Sequence, residues 1–399
     1  MWRLGFFFHE MAFGLLSVFI PLFVVLQLHA PLVVLGVMVS LALFCGIPAS
    51  FFWGWVCDRT RRYKIYILLS FISGAVIIFA YTLTTSVFAF VVLYVIMQML
   101  HVAHESPKNV LISEHFSRDE WEKSYAGYEG LTEVGWFIGL ALGLIATVYG
   151  ISSTYTLYLC AALNFTAFIL SIFLVADPLM IFERRLVGIE RRIDFTYRGV
   201  ENASQWMDGD SSGGIIKQES FLIFGLALMC FMLASSILFT PLPIFFEAQL
   251  GFSKTMVFLV YMLNSVGSML GYYTASRSSV YSNAKTNMRR IVFFRTALVF
   301  LLVAVGELAF APAIFSGLIL ISLGFAYAVY YILTLALSME LLPPGHNAIF
   351  DVLVGLGAAS GSFLGPYLAQ TIGYFTTFAI AGGIFALALV FILICTRRR

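Results

Sequence analysis

Runs of about twenty apolar residues follow one another along almost the whole chain, with the charged residues confined to the gaps between them. A helix of about that length crosses the hydrocarbon core of a bilayer. Breaking the runs at charge clusters, Pro, Gly and Asn places twelve expected spans, near 5–27, 32–55, 65–84, 87–112, 124–149, 154–175, 221–246, 253–275, 291–310, 312–340, 347–370 and 374–395. Composition agrees: 61% of the 399 residues are hydrophobic and 11% are charged, against about 25% charged in an ordinary soluble domain. No sphere of this size hides so much apolar surface from water. Soluble enzymes, nucleic-acid binders and disulfide-stapled secreted domains are excluded. The expected fold class is an all-α polytopic membrane protein, with the bilayer as its first partner and no nucleic acid. Cys45, Cys57, Cys160, Cys230 and Cys395 lie inside apolar runs without CxxC or Cys/His spacing and read as small hydrophobes. The first run has a basic start at Arg3 but no small-residue cleavage site, so it reads as a retained span.

The net charge of +2 says less than the placement of the charges. Arg59, Arg61, Arg62 and Lys64 lie between spans two and three, Arg118 and Lys123 between four and five, and Arg184 to Lys217 between six and seven. Arg277 to Arg290 lie between eight and nine, and Arg397 to Arg399 follow the last span, whereas the opposite side shows only Lys254. The positive-inside rule puts both termini and the long middle connection in the cytoplasm. The expected location is a plasma membrane, and the short loops suggest a prokaryotic one.

The connection at 176–220 divides the chain into a first bundle at 1–176, a linker at 177–220 and a second bundle at 221–399. Leu179, Met180, Phe182, Leu186, Val187, Ile189 and Ile193 alternate with Arg184, Arg185, Arg191 and Arg192, as in an amphipathic helix on the inner leaflet. The stretch from Asn202 to Ser220 reads as a flexible tether, and its Asn202-Ala-Ser204 sequon as idle on the cytoplasmic side.

The two halves are related. A shift of 222 positions lays span five on span eleven: Ala126 meets Ala348, Tyr128 meets Phe350, Glu129 meets Asp351, and Gly135, Gly139 and Gly143 meet Gly357, Gly361 and Gly365. Glycines four residues apart let membrane helices approach closely. Two six-helix halves joined by a tether form the parallel-repeat architecture of secondary transporters, with the site at midplane between the halves.

After span two the chain reads Gly54-Trp-Val-Cys-Asp58-Arg59-Thr-Arg61-Arg62-Tyr-Lys64. This resembles the G-x-x-x-D-R-x-G-R-R signature of the major facilitator superfamily: Gly54, Asp58, Arg59 and Arg62 match, and Arg61 stands where the family usually has Gly. The second-half counterpart, Ser276-Arg277, lacks the acid, while Gly361-x-x-x-Gly365-Pro366 also looks like this superfamily. The resemblance implies two pseudo-symmetric six-helix bundles and a cytoplasmic latch built from Gly54, Asp58, Arg59 and Arg62. Arg61 and Lys64 fit plain positive-inside anchors better. The arginine common in span four of proton-coupled drug exporters is missing, Leu140 replaces the proline of their span-five motif, and sugar-porter signatures are absent.

An ionisable side chain at the centre of a membrane helix costs ~2.5–3.5 kcal/mol on insertion scales, which makes each one a functional candidate. His9 and Glu10 lie in span one, His101, His104, Glu105 and Lys108 in span four, Glu129 and Glu133 in span five, and Asp351 near the start of span eleven. Glu247, Glu307 and Glu340 fall near span ends and read as wet. At ~1.5 Å per residue, His101 and Glu133 share a depth of ~14–16 Å, near midplane. Glu105, Lys108 and Glu129 lie together closer to the cytoplasm. A seam is expected, with His101 beside Glu133 deep and the other three forming a cytoplasmic gate with Asp351. Protons can pass along such a seam because His and a desolvated Glu titrate near neutrality; neutral pairs that lock one helix to its neighbour are the alternative. His101, Glu133, Glu10 and His9 are the proton-coupling candidates. His101-x-x-His104-Glu105 is the nearest approach to a metal site, but no third ligand is evident, so neither metal nor cofactor is expected.

Gln98 in span four, Thr240 in the Thr240-Pro241-Leu-Pro243 break of span seven, and Tyr327, Tyr331, Thr334 and Ser338 on one face of span ten are the substrate-cavity candidates. Tyr261, Asn264, Ser268 and Tyr272 share a face of span eight, with helix–helix hydrogen bonding as the competing use. Aromatic faces with a few polar groups suit an amphipathic organic molecule. No cation sits clearly on the second-half wall, which disfavours a multiply charged anion. The expected function is secondary transport of a small organic solute by rocker-switch alternating access, with protons as the candidate coupling ion and a monomer as the working state. Within that class the alternative is a drug/proton antiporter. Outside it stand a transporter-like sensor without flux and a membrane enzyme, for which no nucleophile–base pair or phosphate loop is present.

Overall fold

The protein is described by a computed structural model that covers residues 2–115, 121–177, 212–277, 283–308, 311–341 and 347–397. The helices of the first half are α1 (Arg3–Leu22), α2 (Leu32–Thr60), α3 (Tyr63–Tyr81), α4 (Val87–His101), α5 (Glu105–His115), α6 (Trp121–Val148) and α7 (Ser153–Leu174). Those of the second half are α8 (Ser212–Phe239), α9 (Lys254–Arg277), α10 (Ala284–Leu308), α11 (Pro312–Leu341), α12 (Asn347–Ile372) and α13 (Tyr374–Arg397). Among the described residues there is no strand. Among the described residues eleven helical spans are long and apolar enough to cross a membrane, with α4 and α5 counted together. α10, over the span expected at 291–310, is the twelfth long helix and carries Lys285, Arg289, Arg290 and Arg295 in its N-terminal half. Large apolar side chains such as Phe88 and Phe173, 78% and 80% exposed, cover the outside, as lipid requires.

Local chemistry explains the breaks. Pro107 has no N–H to offer the carbonyl of Ala103, and the fourth span answers with a 3₁₀ turn at Val102–His104 between α4 and α5. Arg61 caps α2 in the left-handed region (φ 55°), its N–H bonding to the Cys57 carbonyl at 2.8 Å. That conformation suits glycine best, which is the residue the resembled signature carries there. In span seven the helix ends at Phe239, turns through Thr240-Pro241 and resumes at Leu242–Ile244. α8 starts at Ser212, so residues 212–220 are helical where a tether was expected: Ile215, Ile216, Lys217, Gln218 and Glu219 follow the Gly213-Gly214 pair and all but the isoleucines are strong helix formers. The amphipathic stretch at 179–193, the sequon at Asn202, and Arg118 lie outside the described residues.

The 222-residue repeat reappears in three dimensions. Span one ends in a π-helical turn at Phe23–Gln27 and span seven in one at Phe245–Gln249, at that same offset. His29 and Gly251 then take positive φ (51° and 68°), and α2 and α9 start at Leu32 and Lys254. A Cβ on Gly135 would strike the Phe7 carbonyl and one on Gly139 the Met11 carbonyl; Gly357 and Gly361 stand in the same relation to Met229 and Leu233, the offset counterparts. α6 packs on α1, and α12 on α8, as closely as glycine permits. Between the halves, α2 meets α12 and α6 meets α9. At the ends away from the Arg59–Lys64 loop, Val33 N–H donates to Gln370 Oε1 (3.0 Å) and Thr255 Oγ1 to Thr147 Oγ1 (3.1 Å).

Candidate functional site

A cavity of about 700 Å³ lies between the halves, walled by α1, α2, α4, α5 and α6 on one side and α8, α9 and α11 on the other. The first half lines it with charge: Glu10, Glu105, Lys108, Glu129 and Glu133. The second half lines it with hydroxyls, an amide and phenols, among them Thr240, Asn264, Ser268, Tyr327 and Tyr331. The Tyr327 and Tyr331 rings lie 6.5 Å apart and nearly parallel, as one helical turn on α11 dictates. Thr240 donates to Ser362 Oγ (3.4 Å), and Trp136 of α6 closes part of the wall.

The expected shallow group assembles. Lys108 pairs with Glu105 one helical turn away, its ammonium lies 5.6 Å from the centre of the Tyr128 ring, and Glu129 faces the same cavity. The expected deep pair does not form. Glu133 accepts a 2.6 Å hydrogen bond from Ser265 of α9, a contact across the two halves, while His101 turns the other way, to His9. Equal depth left the rotation of each helix undetermined.

The histidines gather instead inside the first half. His9, fully buried, reaches Asn164 Oδ1 through Nδ1 (2.7 Å) and His101 Nδ1 through Nε2 (3.0 Å). Asn164 Nδ2 donates to the Cys160 carbonyl (3.1 Å), so its oxygen faces His9. His104 Nδ1 meets Ser70 Oγ (3.0 Å), and its Nε2 lies 3.4 Å from Glu105 Oε1. His9 is the third imidazole whose absence argued against a metal site: one ring nitrogen from each of His9, His101 and His104 lies within 4.8 Å of the others.

Other candidates separate. Gln98 packs over Gly46 of α2, Thr334 is 9% exposed, and neither lines the cavity. On α9, Asn264, Ser268 and Tyr272 line it and Tyr261 does not. Gly54, Asp58, Arg59 and Arg62 lie at the exposed end of α2, and the Arg59 guanidinium rests 5.4 Å over Trp55 of its own helix. Among the described residues no ion pair joins them to the second half. The side chains of Asp351, Ser338 and Arg277 lie outside the described residues. Lys64 is more than a surface anchor: Nζ donates to the Ile172 carbonyl (2.6 Å) and its N–H to Asp177 (2.8 Å) at the end of α7.

Arg295 overturns the expectation that no cation stands by the second-half wall. It is 1% exposed, donates from Nη1 to the Leu323 carbonyl (3.0 Å) and from Nη2 to Ser235 Oγ (3.4 Å), and Nε has no partner. Phe231, Phe239, Tyr327 and Phe385 cage it, with centroids 5.1 to 5.6 Å from Cζ. Ser235, Phe239 and Tyr327 are also cavity wall, so the cation sits one side chain behind it. Arg295 lies inside the span expected at 291–310, and an arginine within that apolar run is signal enough to mark it, although it is not among the membrane charges singled out from the sequence.

Solved structures share the arrangement over nearly their full length. The nucleoside transporter NupG matches with a TM-score of 0.70 at 13% identity, covering 100% of this chain and 98% of that one. The human organic anion transporter MFSD10 gives 0.68 at 14% identity (98% and 97%), and the xylose transporter XylE from E. coli, in a partially occluded inward-open state, 0.67 at 17% (98% and 97%). At such identities the likeness concerns the fold. No curated protein sequence matches. The family model of the Major Facilitator Superfamily matches residues 4–350, most of the chain. The protein is therefore a member of the Major Facilitator Superfamily, a multi-pass membrane protein of a family of transporters.

Proposed function

We propose that the protein is a secondary transporter that carries a small amphipathic organic solute through the central cavity by rocking residues 1–176 against 221–399, driven by protons, in a prokaryotic plasma membrane with both termini in the cytoplasm. The observation that carries this reading is the cavity itself, built from both halves and bridged by the Glu133–Ser265 hydrogen bond. A bond that spans the halves must break when they part, and a carboxyl group that trades a serine for water is placed to exchange a proton at that step. The cavity falls within the size range of small-molecule sites. The solved neighbours are transporters of nucleosides, of xylose and of organic anions, all small organic solutes. Arg295 removes the objection to a solute with a negative charge.

The test uses purified protein in proteoliposomes, with a solute found by a thermal-shift screen of metabolites and drugs. A pH gradient should drive uptake in the wild type. Glu133→Gln should abolish the pH-driven component and leave solute exchange intact. Unchanged pH dependence in that variant returns Glu133 to packing, and binding without flux in the wild type turns the protein into a sensor.

A further inference from the structure

The histidine cluster is not part of the cavity wall, and its arrangement has a chemistry of its own. His9 and His104 each present one nitrogen to an oxygen on a neighbouring helix: His9 Nδ1–H donates to Asn164 of α7, and His104 Nδ1 meets Ser70 of α3. The outer nitrogen of a metal-bound imidazole is held this way, which fixes the tautomer and aims the other nitrogen inward. The nitrogens left over are His9 Nε2 and His104 Nε2, with His101 Nδ1 already 3.0 Å from the first. In a 3₁₀ turn residues three apart eclipse one another, so the break at Val102–His104 puts His101 and His104 on one side, toward α1. Glu105 Oε1 stands 3.4 Å from His104 Nε2, next to the set.

We propose that His9, His101 and His104 bind one divalent transition-metal ion, Zn²⁺ foremost, inside the first half of the bundle. Three neutral imidazoles suit Zn²⁺, Cu²⁺ or Ni²⁺ and not Mg²⁺ or Ca²⁺, which take oxygen ligands. A tetrahedral zinc with Zn–N near 2.0–2.1 Å holds its nitrogens about 3.3 Å apart; the His9 Nε2–His101 Nδ1 pair is there already at 3.0 Å, and one nitrogen of each of the three rings lies within 4.8 Å of the others. The fourth position falls to Glu105 or to water. Without the ion, His101 Nδ1–H donates to His9 Nε2; binding through Nδ1 requires that proton to move to His101 Nε2, so the ring binds as the other neutral tautomer with no net proton released. The ion ties α1 to the break in the fourth span, beside the Glu105–Lys108 pair that lines the cavity. The site stands whether or not the chain moves a solute.

The experiment uses full-length protein purified through a tag that contains no histidine, exposed to ZnCl₂ or MgCl₂, desalted, and assayed by elemental analysis and thermal unfolding. About one zinc per chain should remain, Zn²⁺ should raise the melting temperature, and Mg²⁺ should not. CoCl₂ should produce the visible absorption of a tetrahedral nitrogen site. His9→Gln and His104→Gln should lose the ion, while His29→Gln, far from the cluster, should keep it. Ser70→Ala, a mild change that spares the ligands, should weaken zinc binding by about 10–100-fold and keeps the test alive if the histidine variants do not fold. The proposal fails if the wild type retains no stoichiometric zinc, if the histidine variants retain as much as the wild type, or if Ser70→Ala binds with unchanged affinity. None of these readings depends on transport, so a failure here leaves the transport reading standing and the converse also holds.

Discussion

In the first half, His9 of α1 bonds to Asn164 and to His101. At the offset of 222 the second half has Phe231, whose ring stacks on Tyr330 with centroids 3.4 Å apart and lies 5.1 Å from the Arg295 guanidinium carbon. His101 likewise corresponds to Leu323, whose carbonyl takes a hydrogen bond from Arg295. One backbone plan thus encloses two unlike interiors. In the first, polar groups partner one another around a cluster of imidazoles. In the second, Arg295 sits among rings, and Tyr261, Asn264 and Ser316 also keep a buried polar atom without a partner, against Ser171 alone in the first half among the described residues. Unpartnered polar atoms in a dry interior are costly. Of these residues Asn264 lines the cavity, and Arg295 lies one side chain behind its wall, so the second half holds its unpaired polar atoms partly at the cavity and partly in its own packing.

The largest effect tests whether the halves must separate at all. Joining Thr147→Cys to Thr255→Cys by a disulfide, in a variant with the five native cysteines replaced, should abolish flux and restore it on reduction; undiminished flux would mean that this contact never opens. Next, Gly139→Val and Gly361→Val should harm their own halves alike, each by about 1–3 kcal/mol or more, since an added side chain meets backbone that cannot withdraw. A large difference in melting temperature between the two would break the equivalence of the halves. Arg295→Met should cut solute uptake by about tenfold or more while leaving stability unchanged or raised by ~1–2 kcal/mol, because a buried charge without a carboxylate partner is replaced by an apolar chain. If Arg295→Met instead unfolds the protein and uptake per folded molecule is normal, Arg295 is a structural strut. Smallest of all, Arg59→Ala should change the melting temperature little, by the equivalent of ~0.5–1 kcal/mol, the value of an exposed cation over an aromatic ring.

Periodicity and charge placement made the spans, the repeat and the family signature legible, because a membrane helix records its length and orientation in its own residues. Sequence depth also placed Glu105, Lys108 and Glu129 at one level, and the cavity holds all three. It failed for His101 and Glu133, since azimuth depends on which neighbour each helix turns toward. The cluster of His9 with His101 and His104 was out of reach for the same reason: its members lie on spans one and four, and only their packing brings the rings together. The π-helical turns left no sequence periodicity to read, although the matching Pro21 and Pro243 precede both.

The contact of α6 on α1 has a mechanical consequence. With the glycine faces at Gly135 and Gly139 pressed against the Phe7 and Met11 carbonyls, there is no slack for either helix to slide past the other. Glu10 and Glu133 therefore ride on a single stiff block, and the spacing between these two acids is a constant of the molecule, like two marks on one ruler.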